Sequence, residues 1–186
     1  MNQKLKNIKI AILATDGFEQ SELALPKKAI EEAGGEVIIV SPSQGKIRGW
    51  KAKDWGDEFP VDLDLSEAKA VEFDGLMLPG GVMSPDTLRI NPDAINFVKS
   101  FLNSDKPIAA ICHGPWTLIN ANGVKGKTLT SYLSIKTDLI NAGANWIDKD
   151  VVIDDKLITS RKPEDLPAFN AAIIELFSKS RQVAKK

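Results

Sequence analysis

The chain has 186 residues, one cysteine and one histidine, and the last two are neighbours, Cys112 and His113 in "PIAAICHGPW". A thiolate is a strong nucleophile, and an imidazole beside it can take the thiol proton, hold the attacking group in place or simply pack. The apolar run before Cys112 reads as a strand and "GPWTLINANG" after it as a helix, so the pair falls on a sharp strand-to-helix turn. Such an elbow tolerates only small residues two before and two after the nucleophile, and Ala110 and Gly114 meet that demand. The following helix N-terminus favours negative charge, which predicts a Cys112 pKa below that of a free thiol. The plain alternative is a buried cysteine packing as a small hydrophobe. Position at the junction, the small flanks and the adjacent histidine favour a nucleophile.

A histidine in this role needs a carboxylate to hold its tautomer. Three loops at strand ends offer Asp16, Glu19, Glu22 and Asp86, and spacing alone does not choose among them. Glu19 and Asp86 also suit a structural role as acids near helix starts. "LPGG" ends another strand, and Gly80 and Gly81 let backbone N–H groups approach an oxyanion closely.

The elements that must position these groups alternate. "IKIAILAT" and "EVIIVSP" are dense β runs flanking the helical "LALPKKAIEEAGG", a βαβ unit with a right-handed crossover. "SQGKIRGWKAKDWGDEFPVDLDL" reads as a hairpin excursion, with Trp50 and Trp55 expected in its core. "FDGLMLPGG" is a third strand and "KPIAAIC" a fourth. One helix is expected over "SPDTLRINPDAINFVKSFLNSD", capped by Ser84 with Pro85 in its first turn. "KTLTSY" reads as strand, "SIKTDLINAG" as helix and "VVIDDKLITS" as a strand pair. "PEDLPAFNAAIIELFSKS" is a terminal helix. The pattern predicts a single domain over 1–186, an α/β sandwich with a mostly parallel sheet, whose site lies at the carboxyl ends of the strands.

Composition narrows the partners. Hydrophobic residues make up 43% and charged residues 26%, and 24 basic against 25 acidic residues leave a net charge of −1. That balance supplies no basic stripe for nucleic acid. A lone cysteine forms no intramolecular disulfide, suits a reducing cytoplasm and leaves no ligand set for a metal. No apolar run approaches the roughly 20 residues that span a bilayer.

Taken together, "FEQSEL", "FDGLMLPGG", "AICHGP", "LTSY", "DLINAGANW" and "ITSRKPEDLPAF" resemble the ThiJ/PfpI family, most closely its PfpI-type branch of intracellular proteases and general stress proteins. The resemblance implies a flavodoxin-like three-layer sandwich related to the class I glutamine amidotransferases. A glutamine amidotransferase itself needs a later histidine, and none follows His113. By resemblance, Cys112 is the nucleophile, His113 its partner and Glu19 the acid beside the sulfur. Gly81 and the amide of His113 match the oxyanion hole. Asp86 stands where a neighbouring subunit supplies an acid, commonly Glu and one methylene longer. Trp116 replaces a frequent Gln and narrows the pocket.

The resemblance also implies homodimers or hexamers, no cofactor, and one of two activities. The favoured one is deglycase or glyoxalase action on methylglyoxal or glyoxal adducts of proteins and peptides, in which Glu19 or His113 shuttles a proton between adjacent carbons. The runner-up is a peptidase. A different class is a stress protein whose cysteine senses oxidants, which needs Cys112 and Glu19 alone.

Overall fold

The computed structural model describes residues 3–180. Its strands are β1 Lys9–Leu13, β2 Phe18–Glu19, β3 Glu36–Ser41, β4 Lys46–Lys51, β5 Asp54–Pro60, β6 Leu63–Asp64, β7 Gly75–Leu78, β8 Ile108–Ile111, β9 Thr128–Leu129, β10 Asn145–Trp146, β11 Val151–Asp154 and β12 Leu157–Ser160. Its helices are α1 Gln20–Glu32, α2 Met83–Arg89, α3 Pro92–Asn103, α4 Pro115–Asn120, α5 Lys136–Asn141 and α6 Leu166–Ser178. Seven strands form the central sheet in the order β11-β12-β8-β7-β1-β3-β6. Every pairing in it is parallel except β11 with β12.

Both faces of this sheet are covered, which is why its strands are apolar throughout rather than alternating. In β1, Ile10 and Ile12 join the layer of α1 and α6, with Leu23, Ile30, Phe169, Ile173 and Phe177. Ala11 and Leu13 point to the other face, toward Phe97, Phe101, Leu118 and Leu139 of α3, α4 and α5. The expected three-layer sandwich with a mostly parallel sheet is the architecture observed. No helix among the described residues is long and apolar enough to cross a membrane.

Several local expectations are corrected. The helix expected from Ser84 onward is two helices, because the Asn91 side chain caps a new start by accepting from the N–H groups of Asp93 and Ala94, with Pro92 in the first turn. Ser84 caps nothing. It is buried, and its hydroxyl accepts from the Thr15 N–H at 3.0 Å, tying α2 to the end of β1. "KTLTSY" contributes only the two residues of β9, paired with β10 outside the main sheet. The excursion is the β4–β5 hairpin, but its tryptophans do not form a core. Trp50 and Trp55 pack edge to face at 5.6 Å, and Trp55 remains 41% exposed.

Candidate active site

The carboxyl ends of β1, β7 and β8 are adjacent in the sheet, so the loops that follow them meet in one crevice. Cys112 follows β8 directly and has φ 60, a left-handed conformation unusual for a residue with a side chain. Three backbone contacts impose it. The Cys112 N–H donates to Ser160 O at 3.1 Å, the Cys112 carbonyl accepts from Tyr132 N–H at 2.9 Å, and Gly114 N–H closes the turn on Ile111 O at 2.8 Å. A Cβ at Gly114 would lie 2.5 Å from the Leu78 carbonyl oxygen, so only glycine lets β8 turn this close to β7. The expected elbow is present.

His113 lies with its Nδ1 3.2 Å from the Cys112 sulfur, and its Nε2 is 3.0 Å from the Ser134 hydroxyl. The ring is gripped from two sides. Tyr132 stacks on it at 5.0 Å and Trp116 meets it edge to face at 5.0 Å. Trp116 is itself tied down, donating its Nε1–H to Asp138 at 2.8 Å beneath the Arg89 guanidinium. Burial pushes the His113 pKa down, so the imidazole is neutral near pH 7.

The acid beside the sulfur is Glu22, which corrects the expectation for Glu19. Helix α1 starts at Gln20, which makes Glu19 its N-cap, and the Glu19 carboxylate turns back to accept the Ser21 hydroxyl at 2.9 Å. Three residues on, Glu22 points inward. It is completely buried and accepts the Gly80 N–H at 2.9 Å, within hydrogen-bonding reach of Cys112. Burial, reinforced by the charge of Glu19, raises the Glu22 pKa from 4.5 to about 8, so it carries a proton at neutral pH. Gly80 packs closely against both groups. A Cβ there would stand 2.4 Å from the Glu22 carboxyl and 2.6 Å from Cys112 Cβ.

The expected depression of the Cys112 thiol is also corrected. Burial, with the sulfur residue only 7% exposed, pushes the thiol up, and the Glu22 carboxylate adds to the shift. The N–H groups of Gly81 and His113 face the sulfur and pull the other way without winning. Helix α4 spans only Pro115–Asn120 and starts three residues beyond Cys112, so its dipole is too short to offset desolvation.

The structure thus brings together Cys112, His113, Glu22, Gly80 and Gly81. Asp86 stands apart. It lies exposed in the first turn of α2, with no side-chain hydrogen bond to His113 in this chain. Ser134 was not singled out from sequence. Its only signal is its place two residues after "LTSY", the segment that packs on the elbow.

An α/β sandwich with its one cysteine at a strained elbow, ringed by histidine, acid and glycine amides, defines a class of cysteine-centred α/β proteins. Residues 8–176 match the DJ-1/PfpI family, and the chain belongs to it. Among its relatives, the Escherichia coli protein named protein/nucleic acid deglycase 2 is 45% identical over 90% of this chain and 96% of its own. Bacillus subtilis YraA, whose name proposes a cysteine protease, is 45% identical over 90% of this chain and 97% of its own. The crystal structure of Drosophila melanogaster DJ-1beta is 29% identical, superposes with a TM-score of 0.83 and covers 96% of both chains.

Proposed function

We propose that this protein is a cofactor-independent cysteine enzyme that converts methylglyoxal and glyoxal, free or released from their reversible adducts, to hydroxy acids. The observation that carries the reading is the buried Cys112 sulfur with His113 Nδ1 at 3.2 Å and the completely buried Glu22 carboxyl within hydrogen-bonding reach of it. The name of the Escherichia coli relative supports it.

The chemistry starts from a thiol rather than a standing thiolate. As Cys112 adds to an aldehyde carbon, neutral His113 takes the thiol proton at Nδ1 and returns it to the carbonyl oxygen, held meanwhile by the N–H groups of Gly81 and His113. The result is a hemithioacetal. His113 then removes the proton from the sulfur-bearing carbon to give an enediolate, the hydroxyl proton on that carbon moves to the neighbouring oxygen, and Glu22 donates its own proton to the neighbouring carbon, giving a thioester of the hydroxy acid. Water cleaves the thioester, the thiol reforms, and the proton held by His113 passes back to Glu22.

Burial favours this reading over the others. A sulfur residue 7% exposed admits a small carbonyl more readily than a polypeptide segment, which disfavours the peptidase. A thiol pushed up by burial reacts slowly with oxidants, which disfavours the sensor.

The test is conversion of methylglyoxal to lactate. C112S, H113A and E22Q should each lower turnover at least tenfold, and E19Q should retain it. Turnover at the buffer rate in the wild-type protein sinks the reading. Casein hydrolysis lost with C112S replaces it with the peptidase.

A further inference from the structure

The Nε2 of His113, the position where a carboxylate was expected, is occupied within the same chain by the Ser134 hydroxyl at 3.0 Å. We propose that Ser134 is the positioning residue of the Cys–His pair, fixing His113 as the Nε2–H tautomer and so doing in cis the work expected of Asp86 from a second copy. The inference rests on the enzymatic reading above for its consequence, though not for its geometry.

A neutral imidazole has one donor and one acceptor. To take the Cys112 proton, Nδ1 must be the acceptor, so Nε2 must carry the hydrogen. Ser134 Oγ then accepts Nε2–H, and its own hydrogen is free to face solvent. After His113 gains a second proton, Nε2 still donates to the same oxygen. One hydroxyl therefore serves both states of the ring without moving. Lacking charge, it leaves the imidazole easy to deprotonate, in keeping with a neutral base in a buried site.

The support for Ser134 is itself anchored. Tyr132 N–H bonds the Cys112 carbonyl at 2.9 Å, Trp146 donates to the Ser131 hydroxyl at 3.0 Å, and Thr130 N–H donates to Thr159 at 2.9 Å. The 3-10 turn Leu133–Ile135 that carries Ser134 follows directly. Tyr132 stacks on the ring and Trp116 meets it edge to face, and among the described residues the hydrogen-bond partners of its nitrogens are the sulfur and Ser134.

Because His113 is the only histidine, 15N-histidine labelling of the full chain reports this ring alone. The wild-type protein should show a protonated Nε2 and an unprotonated Nδ1 at pH 7.5. S134A should give a mixture of tautomers and lower methylglyoxal turnover by about threefold to tenfold, the worth of one neutral hydrogen bond. S134T, which keeps the hydroxyl, should restore both, and D86A should change neither. A wild-type Nδ1–H tautomer overturns the proposal without any variant. So does an S134A spectrum like the wild type, or a tautomer change in D86A instead. Failure of the enzymatic reading looks different: methylglyoxal turnover is absent in the wild type while the tautomer still follows Ser134.

Discussion

Replacing Glu22 by Gln should abolish a specific pH dependence of folding stability. In the folded chain the Glu22 carboxyl holds its proton up to about pH 8, against 4.5 for an ordinary glutamate, because charging it would place an anion in a water-free pocket. Between those two values the folded state holds a proton that the unfolded chain has released. Stability therefore falls as pH rises through the window, at close to 1.4 kcal/mol per pH unit and about 5 kcal/mol in all. Over pH 5 to 8 the loss is about 3–4 kcal/mol, a large share of a typical domain's stability and about 10 °C in Tm for a chain this size. Gln keeps the shape and cannot ionise, so E22Q should lack this component and exceed the wild type by that margin at pH 8. Urea or thermal unfolding of both proteins at half-unit steps from pH 5 to 8 reads the difference directly. E19Q removes only the secondary cause of the shift and should narrow the window without closing it. Parallel curves for wild type and E22Q would refute the buried, protonated acid and the proton-donor role built on it.

Two further outcomes follow from the same geometry. G80A drives a Cβ to within 2.4 Å of the Glu22 carboxyl and 2.9 Å of the Ile111 carbonyl oxygen, and should destabilise the fold by about 1–3 kcal/mol while cutting turnover, measured by denaturation and lactate release. Iodoacetamide alkylation of Cys112 should show a midpoint above that of a free thiol, and E22Q should move it down by removing the charge that opposes thiolate. A wild-type midpoint at or below the free-thiol value would refute the desolvated sulfur.

Much of the architecture was legible in the sequence because fully covered parallel strands are continuous apolar runs, as in "IKIAILAT" and "KPIAAIC". The elbow was legible for the same reason: its demand for small neighbours is local, and Ala110 and Gly114 meet it. What failed was decided by contacts between distant segments. Glu19 and Glu22 are three residues apart, and only the position of the α1 start determines which caps the helix and which turns under Cys112. Ser84 resembles a cap in sequence because its partner, Thr15, lies far away in the loop after β1. The thiol shift went the wrong way because a helix dipole can be inferred from order, whereas the cost of desolvation depends on everything that surrounds the sulfur. Ser134 left no trace of its own, since a hydroxyl becomes informative only once the ring it faces is known.

The left-handed torsion at Cys112 has a consequence for how this protein can change. In that region a residue other than glycine or asparagine gives up about 1 kcal/mol or more. Activity and durability thus compete over a single backbone angle. Drift toward an inert but hardier scaffold would be easiest at the nucleophile, and stabilising mutations sought by selection on folding alone should accumulate there first.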